Sequence, residues 1–222
     1  MFNDIAGSYD FLNHLLSAGI DKSWRKRAIK FLKEQEPQQI LDIATGTADL
    51  AIQALTLNPE KVTGVDIAEK MLEIGRKKIT KKKLEGKIEL LKGDACNLPF
   101  DDNSFDAVTV AFGVRNFENL AKGLGEMNRV MKGGGMCVIL EFSNPKGFPM
   151  KQLYNLYFRS ILPTIGKMVS KHSSAYTYLP ETVKAFPDGS RFVEIMEDAG
   201  YEQVERHNLT LGVASIYTGI KT

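Results

Sequence analysis

The residues best placed for chemistry are three acidic positions and a lone glycine, each at the end of an apolar run. Asp42 closes the first run, and Gly46 follows it in the turn Ala44-Thr45-Gly46-Thr47-Ala48-Asp49. Asp66 closes the second run, twenty residues after Gly46, and Gly93-Asp94-Ala95 follows the third. A dinucleotide loop uses several glycines so that its backbone can approach a pyrophosphate on a helix N-terminus; here Gly46 stands without them. Asp42 would repel a pyrophosphate and suits a ligand that carries positive charge. A carboxylate at the separation of Asp66 accepts two hydrogen bonds from ribose hydroxyls. Asp94 can accept from an adenine amino group while the Ala95 N–H donates to the ring. Each feature has a plainer alternative, Gly46 as a tight turn and Asp94 as a turn former. Their convergence on one set of strand ends favours a site for an adenosine with a cationic tail.

Alternating strands and helices must position these residues. Residues 39–44 and 61–67 are short apolar runs, each followed by a helical pattern, at 49–57 and 69–83. Further strands are expected at 88–91 and 107–111, and a helix at 120–131 that ends at Gly133-Gly134-Gly135 before a fifth strand at 136–142. Strands of near-continuous hydrophobicity belong in a parallel sheet covered on both faces. The rhythm then changes. Residues 149–171 read as a helix kinked or ended by Pro163 and Gly166, with Tyr154, Tyr157, Phe158, Ile161 and Leu162 on one stripe. A helix at 190–199 closes at Gly200, and two strands, 201–209 and 213–220, flank a turn at Gly212.

Composition excludes several classes. Hydrophobic residues make up 43% and charged residues 25%, which rules out a disordered chain. The net charge of +2 conceals one run: Arg76, Lys77, Lys78, Lys81, Lys82 and Lys83. Without it, 23 cations face 27 carboxylates and the body is at −4. The run contains no aromatic residue, which argues against nucleic-acid binding and for a solvated helix face or contact with an anionic membrane. Cys96 and Cys137 have neither disulfide-framework nor metal spacing, so no metal site is expected. No apolar stretch approaches a spanning helix, and the N-terminus is not a secretory signal. The expectation is a cytoplasmic protein, able to lie peripherally on the inner face of a membrane.

The segments LDIATGTADL, VDIAEKML, GDACNLPFDDNSFDAVTVAFGVRN, EMNRVMKGGG, LEFSNP and YTYLPETVKAFP, in this order, resemble the C-methyltransferase family of ubiquinone and menaquinone biosynthesis. The resemblance covers essentially the whole chain. Its first two-thirds is shared in outline with all class I S-adenosylmethionine methyltransferases, whereas FGVRN, LEFSNP and Tyr176-Thr177-Tyr178-Leu179 are narrower signatures. The chain has Ala48 and Ala111 where some members carry other small residues, so a hydroxyl contact from position 111 is lost.

The resemblance implies a single α/β domain: a Rossmann-like sandwich around a mostly parallel seven-stranded sheet, with a C-terminal antiparallel hairpin preceded by a helical insertion. Residues 1–35 would form a helical cover, 36–142 the cofactor-binding core, 143–189 the substrate-side insertion and 190–222 the last helix and hairpin. S-adenosylmethionine would lie against Gly46 and Thr47 on its methionine side, with Asp42 near the sulfonium, Asp66 at the ribose, and Asp94 and Ala95 at the adenine. The implied acceptor is a ring carbon of a polyprenylated quinol. Demethylmenaquinol leads, the benzoquinol of ubiquinone synthesis is the alternative, and O- or N-methylation of a small molecule is more remote.

Ring methylation calls for phenolate character, and a phenol ionises only near pH ~10. Arg115 is the residue placed to stabilise that phenolate or to orient a water, although it can equally make a salt bridge that caps the next helix. Asn116 is its companion. Glu141, Tyr154, Phe158 and Tyr178 are candidates for the substrate pocket, the aromatic stripe serving as core, as a lid over the polyprenyl tail, or as both. His14, His172 and His207 stand apart from every motif.

Overall fold

The computed structural model describes residues 19–156 and 181–222. Helix α1 (Asp21–Lys30) leads into β1 (Gln39–Ile43), α2 (Asp49–Ala54), β2 (Lys61–Asp66), α3 (Glu69–Lys82), β3 (Ile88–Lys92), β4 (Phe105–Ala111), α4 (Leu120–Val130) and β5 (Met131–Phe142). Then come α5 (Met150–Leu156), α6 (Ser190–Asp198), β6 (Tyr201–Leu209) and β7 (Ala214–Lys221). The seven strands form one sheet in the order β3-β2-β1-β4-β5-β7-β6. The first five are parallel, and β7 runs antiparallel between β5 and β6.

Successive strand side chains point to opposite faces, and the core divides accordingly. Ile40, Val62, Ala107, Val138 and Ile216 face a layer containing Trp24 and Ile29 of α1, Ala51 of α2 and Leu72 of α3. Leu41, Val65, Val108, Ile139 and Tyr217 face Leu124 and Met127 of α4 and Phe192 and Met196 of α6. Both faces of the sheet are dry, which explains why its strands read as unbroken apolar runs.

The glycine run behaves differently from expectation. Helix α4 stops at Val130 and β5 begins at once, so Gly133-Gly134-Gly135 lies inside the strand. The register moves from Phe105 opposite Met131 to Ala107 opposite Met136, leaving a bulge on β5. Gly134 adopts φ +78°, and a Cβ on Gly135 would lie 2.7 Å from the Asp106 carbonyl oxygen. The bulge requires glycine for backbone reasons, and a glycine cluster reads in sequence like a helix stop.

Helix α1 is tied to the far strands through Trp24. Its indole N–H donates to Thr210 Oγ1 at 2.9 Å, in the turn between β6 and β7. Its ring lies 6.2 Å from those of both Phe112 and Phe142, which themselves stack at 4.5 Å. Phe112 holds φ +59°. Of the stripe expected over 149–171, Tyr154 lies on α5, and Tyr157, Phe158, Ile161 and Leu162 lie outside the described residues. Among the described residues no helix is long and apolar enough to cross a membrane.

Candidate active site

The chain leaves β1 through a strained turn. Ala44, Gly46 and Ala48 all have positive φ, at 51°, 56° and 67°. For an alanine this conformation costs about 1–2 kcal/mol, and such strain persists where the surroundings over-determine it. The Thr45 amide donates to the Val65 carbonyl at 3.0 Å, and the Gly46 amide donates to Asp66 Oδ2 at 2.8 Å. The other Asp66 oxygen accepts from the Ala68 amide at 2.8 Å. One carboxylate therefore holds together the turns after β1 and β2. Burial raises its pKa above the ordinary aspartate value, opposed by the amides of Ala68, Gly46 and Ile67. A carboxylate has about four acceptor sites, so capacity remains for a further donor beside these amides.

These turns line a cleft at the carboxyl ends of the strands, with about 790 Å³ of empty space including its open mouth. Gly46, Asp66, Asp94, Ala95 and Asn116 all line it. Asp94 Oδ1 accepts from the Cys96 amide at 2.9 Å, which shapes the third turn. Among the lining residues that the sequence reading did not name as site residues are Ile67, Met71, Phe117 and Glu118. Ile67 is 62% exposed despite its size, immediately after Asp66, and gives the cleft an apolar surface beside the carboxylate. An apolar residue just past an acidic strand end was the available signal.

Asp42 and Thr47 lie beneath this surface rather than in it. Asp42 is 1% exposed and accepts from the hydroxyls of Thr45 at 2.6 Å and Thr109 at 2.8 Å. Burial pushes its pKa up to about 6, against the pull of both hydroxyls and of Arg25. The Thr47 hydroxyl accepts from Lys78 Nζ at 2.8 Å, and the same ammonium reaches Asp49 at 2.9 Å.

Arg115 follows β4 in a short 3₁₀ turn, Val114–Asn116. Its Nη1 donates to Glu141 Oε1 at 2.6 Å and to the Phe112 carbonyl at 2.7 Å, and its backbone amide donates to Glu141 Oε2 at 3.3 Å. The side chains are 4% and 0% exposed, a buried pair across β4 and β5 rather than a helix cap. The guanidinium stands 5.5 Å from the Phe142 ring centroid, and Arg115 Nε is buried with no hydrogen-bond partner among the described residues. Tyr154 completes the group. Burial raises its phenol well above the usual range, Arg115 lowers it, and Asp188 and Glu141 raise it. The structure thus brings Arg115, Glu141 and Tyr154 together next to Asn116; Phe158 and Tyr178 lie outside the described residues. Among the described residues no cluster of His, Cys, Asp and Glu could hold a metal ion.

The profile of the ubiE/COQ5 methyltransferase family matches residues 1–221. A demethylmenaquinone methyltransferase of Bacteroides fragilis is 52% identical over 222 residues, covering 100% of this chain and 91% of that protein. A ubiquinone/menaquinone biosynthesis C-methyltransferase UbiE of Geotalea daltonii is 45% identical over 100% of this chain and 94% of its own length. Among solved structures, an S-adenosylmethionine-dependent methyltransferase of Thermotoga maritima, titled a possible histamine N-methyltransferase, shares the fold with a TM-score of 0.67 and 20% identity. The match covers 100% of this chain and 98% of that one. Sheet order, cleft and whole-length similarity together establish that the chain belongs to the ubiE/COQ5 methyltransferase family.

Proposed function

We propose that this chain transfers a methyl group from S-adenosylmethionine to a ring carbon of a reduced, polyprenylated demethylmenaquinone. The observation that carries the reading is one cleft in which Asp66, Asp94 and Asn116 share a wall, with the buried Arg115–Glu141 pair adjoining Asn116 in sequence. The donor set fits the methyl donor. Asp66 offers acceptors for a ribose diol, Asp94 and Ala95 an acceptor and an amide for an adenine edge, and Ile67 an apolar surface for its ring. Gly46 brings backbone close to the methionine side, and a Cβ there would stand 3.3 Å from Met71 Cε. Asp42 acts from below, holding Thr45 and so the loop.

S-adenosylmethionine, when bound, supplies an electrophilic methyl whose carbon–sulfur bond breaks as the new carbon–carbon bond forms. The protein supplies proximity and a nucleophilic ring. A phenolate next to the reacting carbon pushes electron density onto it, and the guanidinium of Arg115, fixed by Glu141 and the Phe112 carbonyl, is the positive group that would favour this phenolate. Asn116, on the cleft wall, would orient the same oxygen. The ring proton then leaves to water, which regenerates the phenolate, and return of the phenolic proton from water to its oxygen gives the methylated quinol.

Tyr154, beside Arg115, would face the acceptor side. A polyprenyl tail keeps the acceptor in a bilayer, so the reading includes work at the cytoplasmic membrane surface. A second reading, methylation of a ubiquinone-pathway benzoquinol, rests on the relative whose name includes both quinones. Transfer of labelled methyl to reduced demethylmenaquinone, measured beside the benzoquinol, tests both. Labelling of neither would overturn the proposal, and labelling of the benzoquinol alone would replace it with the second reading.

A further inference from the structure

Behind the cofactor loop, in the layer made by α1, α2 and α3, lies a second cleft with about 1230 Å³ of empty space including its open mouth. Its walls carry Lys22, Arg25, Lys78, Lys81 and Lys82, with Asp49 as the one carboxylate lining it among the described residues. Arg25 is paired with the buried Asp21, and Lys78 with Asp49. Lys22, Lys81 and Lys82 are exposed and have no ion-pair partner among the described residues. Three uncompensated ammonium groups, from two helices about sixty residues apart in sequence, thus border one concavity.

Helix stability does not account for this arrangement. Lys81 and Lys82 lie in the last turn of α3, where the helix dipole favours cations, but Lys22 lies in the first turn of α1, where it disfavours them. Nor is it an even basic face. In the run from Arg76 to Lys83, Arg76 pairs with Glu69 at 2.6 Å, and Lys77 and Lys83 do not line the cleft. Lysine ammoniums are compact point charges with three donors each, suited to the oxygens of a phosphate.

We propose that this cleft binds anionic phosphate, carried either by an anionic membrane lipid or by a soluble diphosphate. Lys78 also holds Thr47 and Asp49 next to the cofactor loop and is left intact in the test.

The full chain is titrated calorimetrically with sodium diphosphate and sedimented with vesicles of phosphatidylcholine with and without phosphatidylglycerol. The triple variant Lys22→Gln, Lys81→Gln, Lys82→Gln is compared with Lys26→Gln, Lys77→Gln, Lys83→Gln, which removes the same charge from outside the cleft. The expected result is a loss of affinity of about a hundredfold in the cleft variant and of less than about threefold in the control, in at least one arm. This discrimination with phosphatidylglycerol vesicles assigns the phosphate to a lipid, and with diphosphate alone to a soluble ligand. No saturable binding in either arm, or equal loss in both variants, overturns the proposal. Both readouts are independent of methyl transfer.

Discussion

Replacing Glu141 by glutamine probes the buried pair directly. Glu141 Oε1 accepts from Arg115 Nη1 at 2.6 Å and from the Phe142 amide at 2.8 Å, while Oε2 faces the Arg115 amide at 3.3 Å. In Glu141→Gln the side-chain NH₂ takes the place of Oε2 and points donor to donor at that amide, and the guanidinium loses its counter-charge at 4% exposure. Breaking one half of a buried pair costs about 3–5 kcal/mol. The lower end is expected, because the Phe112 carbonyl still accepts from Nη1 and the Phe142 ring still faces the cation. Urea unfolding measures this loss. The double variant Glu141→Gln, Arg115→Met removes the stranded charge and should recover more than half of it, yet methyl transfer should stay lost because the cation is gone. That split separates a structural pair from a catalytic one. A cost below about 1 kcal/mol for Glu141→Gln would mean that the pair is effectively solvated. A double variant no more stable than the single one would refute the stranded-charge argument.

Asp66→Ala should weaken S-adenosylmethionine binding about ten- to hundredfold by calorimetry, since it removes the diol acceptor and frees the amides of Gly46 and Ala68. Gly113→Ala places a Cβ 2.4 Å from Ala44 Cβ, against a residue already at positive φ, and should cost about 1–3 kcal/mol in urea unfolding and reduce cofactor affinity. Asp42 gives a pH signature. Its folded pKa of about 6 lies above the ordinary aspartate value of 3.8, so the folded state holds the proton longer and stability from this group falls as pH rises through that window. Asp42→Asn, which never ionises, should gain on the parent by about 2 kcal/mol between pH ~4 and ~6.5. A stability difference that stays flat with pH would refute the assignment.

Local signals made the residues that line the strand-end cleft legible. Asp66 is visible because strand, turn and carboxylate follow one another, and Asp94 because the next strand repeats the arrangement. The partner of Arg115 was not visible. Glu141 lies 26 residues away, and the two meet only through the pairing of β4 with β5, in which Ala111 sits opposite Leu140. Glu141 was named as a pocket candidate, but as a separate residue rather than as the counter-ion. Asp42 and Thr47 show the complementary difficulty: one ends β1 and the other sits in the turn after it, but a sequence cannot distinguish a side chain aimed into a cleft from one turned beneath it. The glycine run shows how one composition serves two backbone ends, since a helix stop and a strand bulge both use positive φ.

Trp24 is the chain's one tryptophan, and it rests against Phe112, which lines the cofactor cleft. The native protein therefore carries a single indole fluorophore, separable from its tyrosines by selective excitation, one aromatic ring away from the ligand. A shift of Phe112 on cofactor binding would change the environment of that indole, so emission can follow occupancy without a label. The same indole is hydrogen-bonded to Thr210, which makes its signal sensitive to release of α1 from the terminal hairpin as well. Thr210→Val would remove that second contribution and leave an optical gauge of the cleft alone.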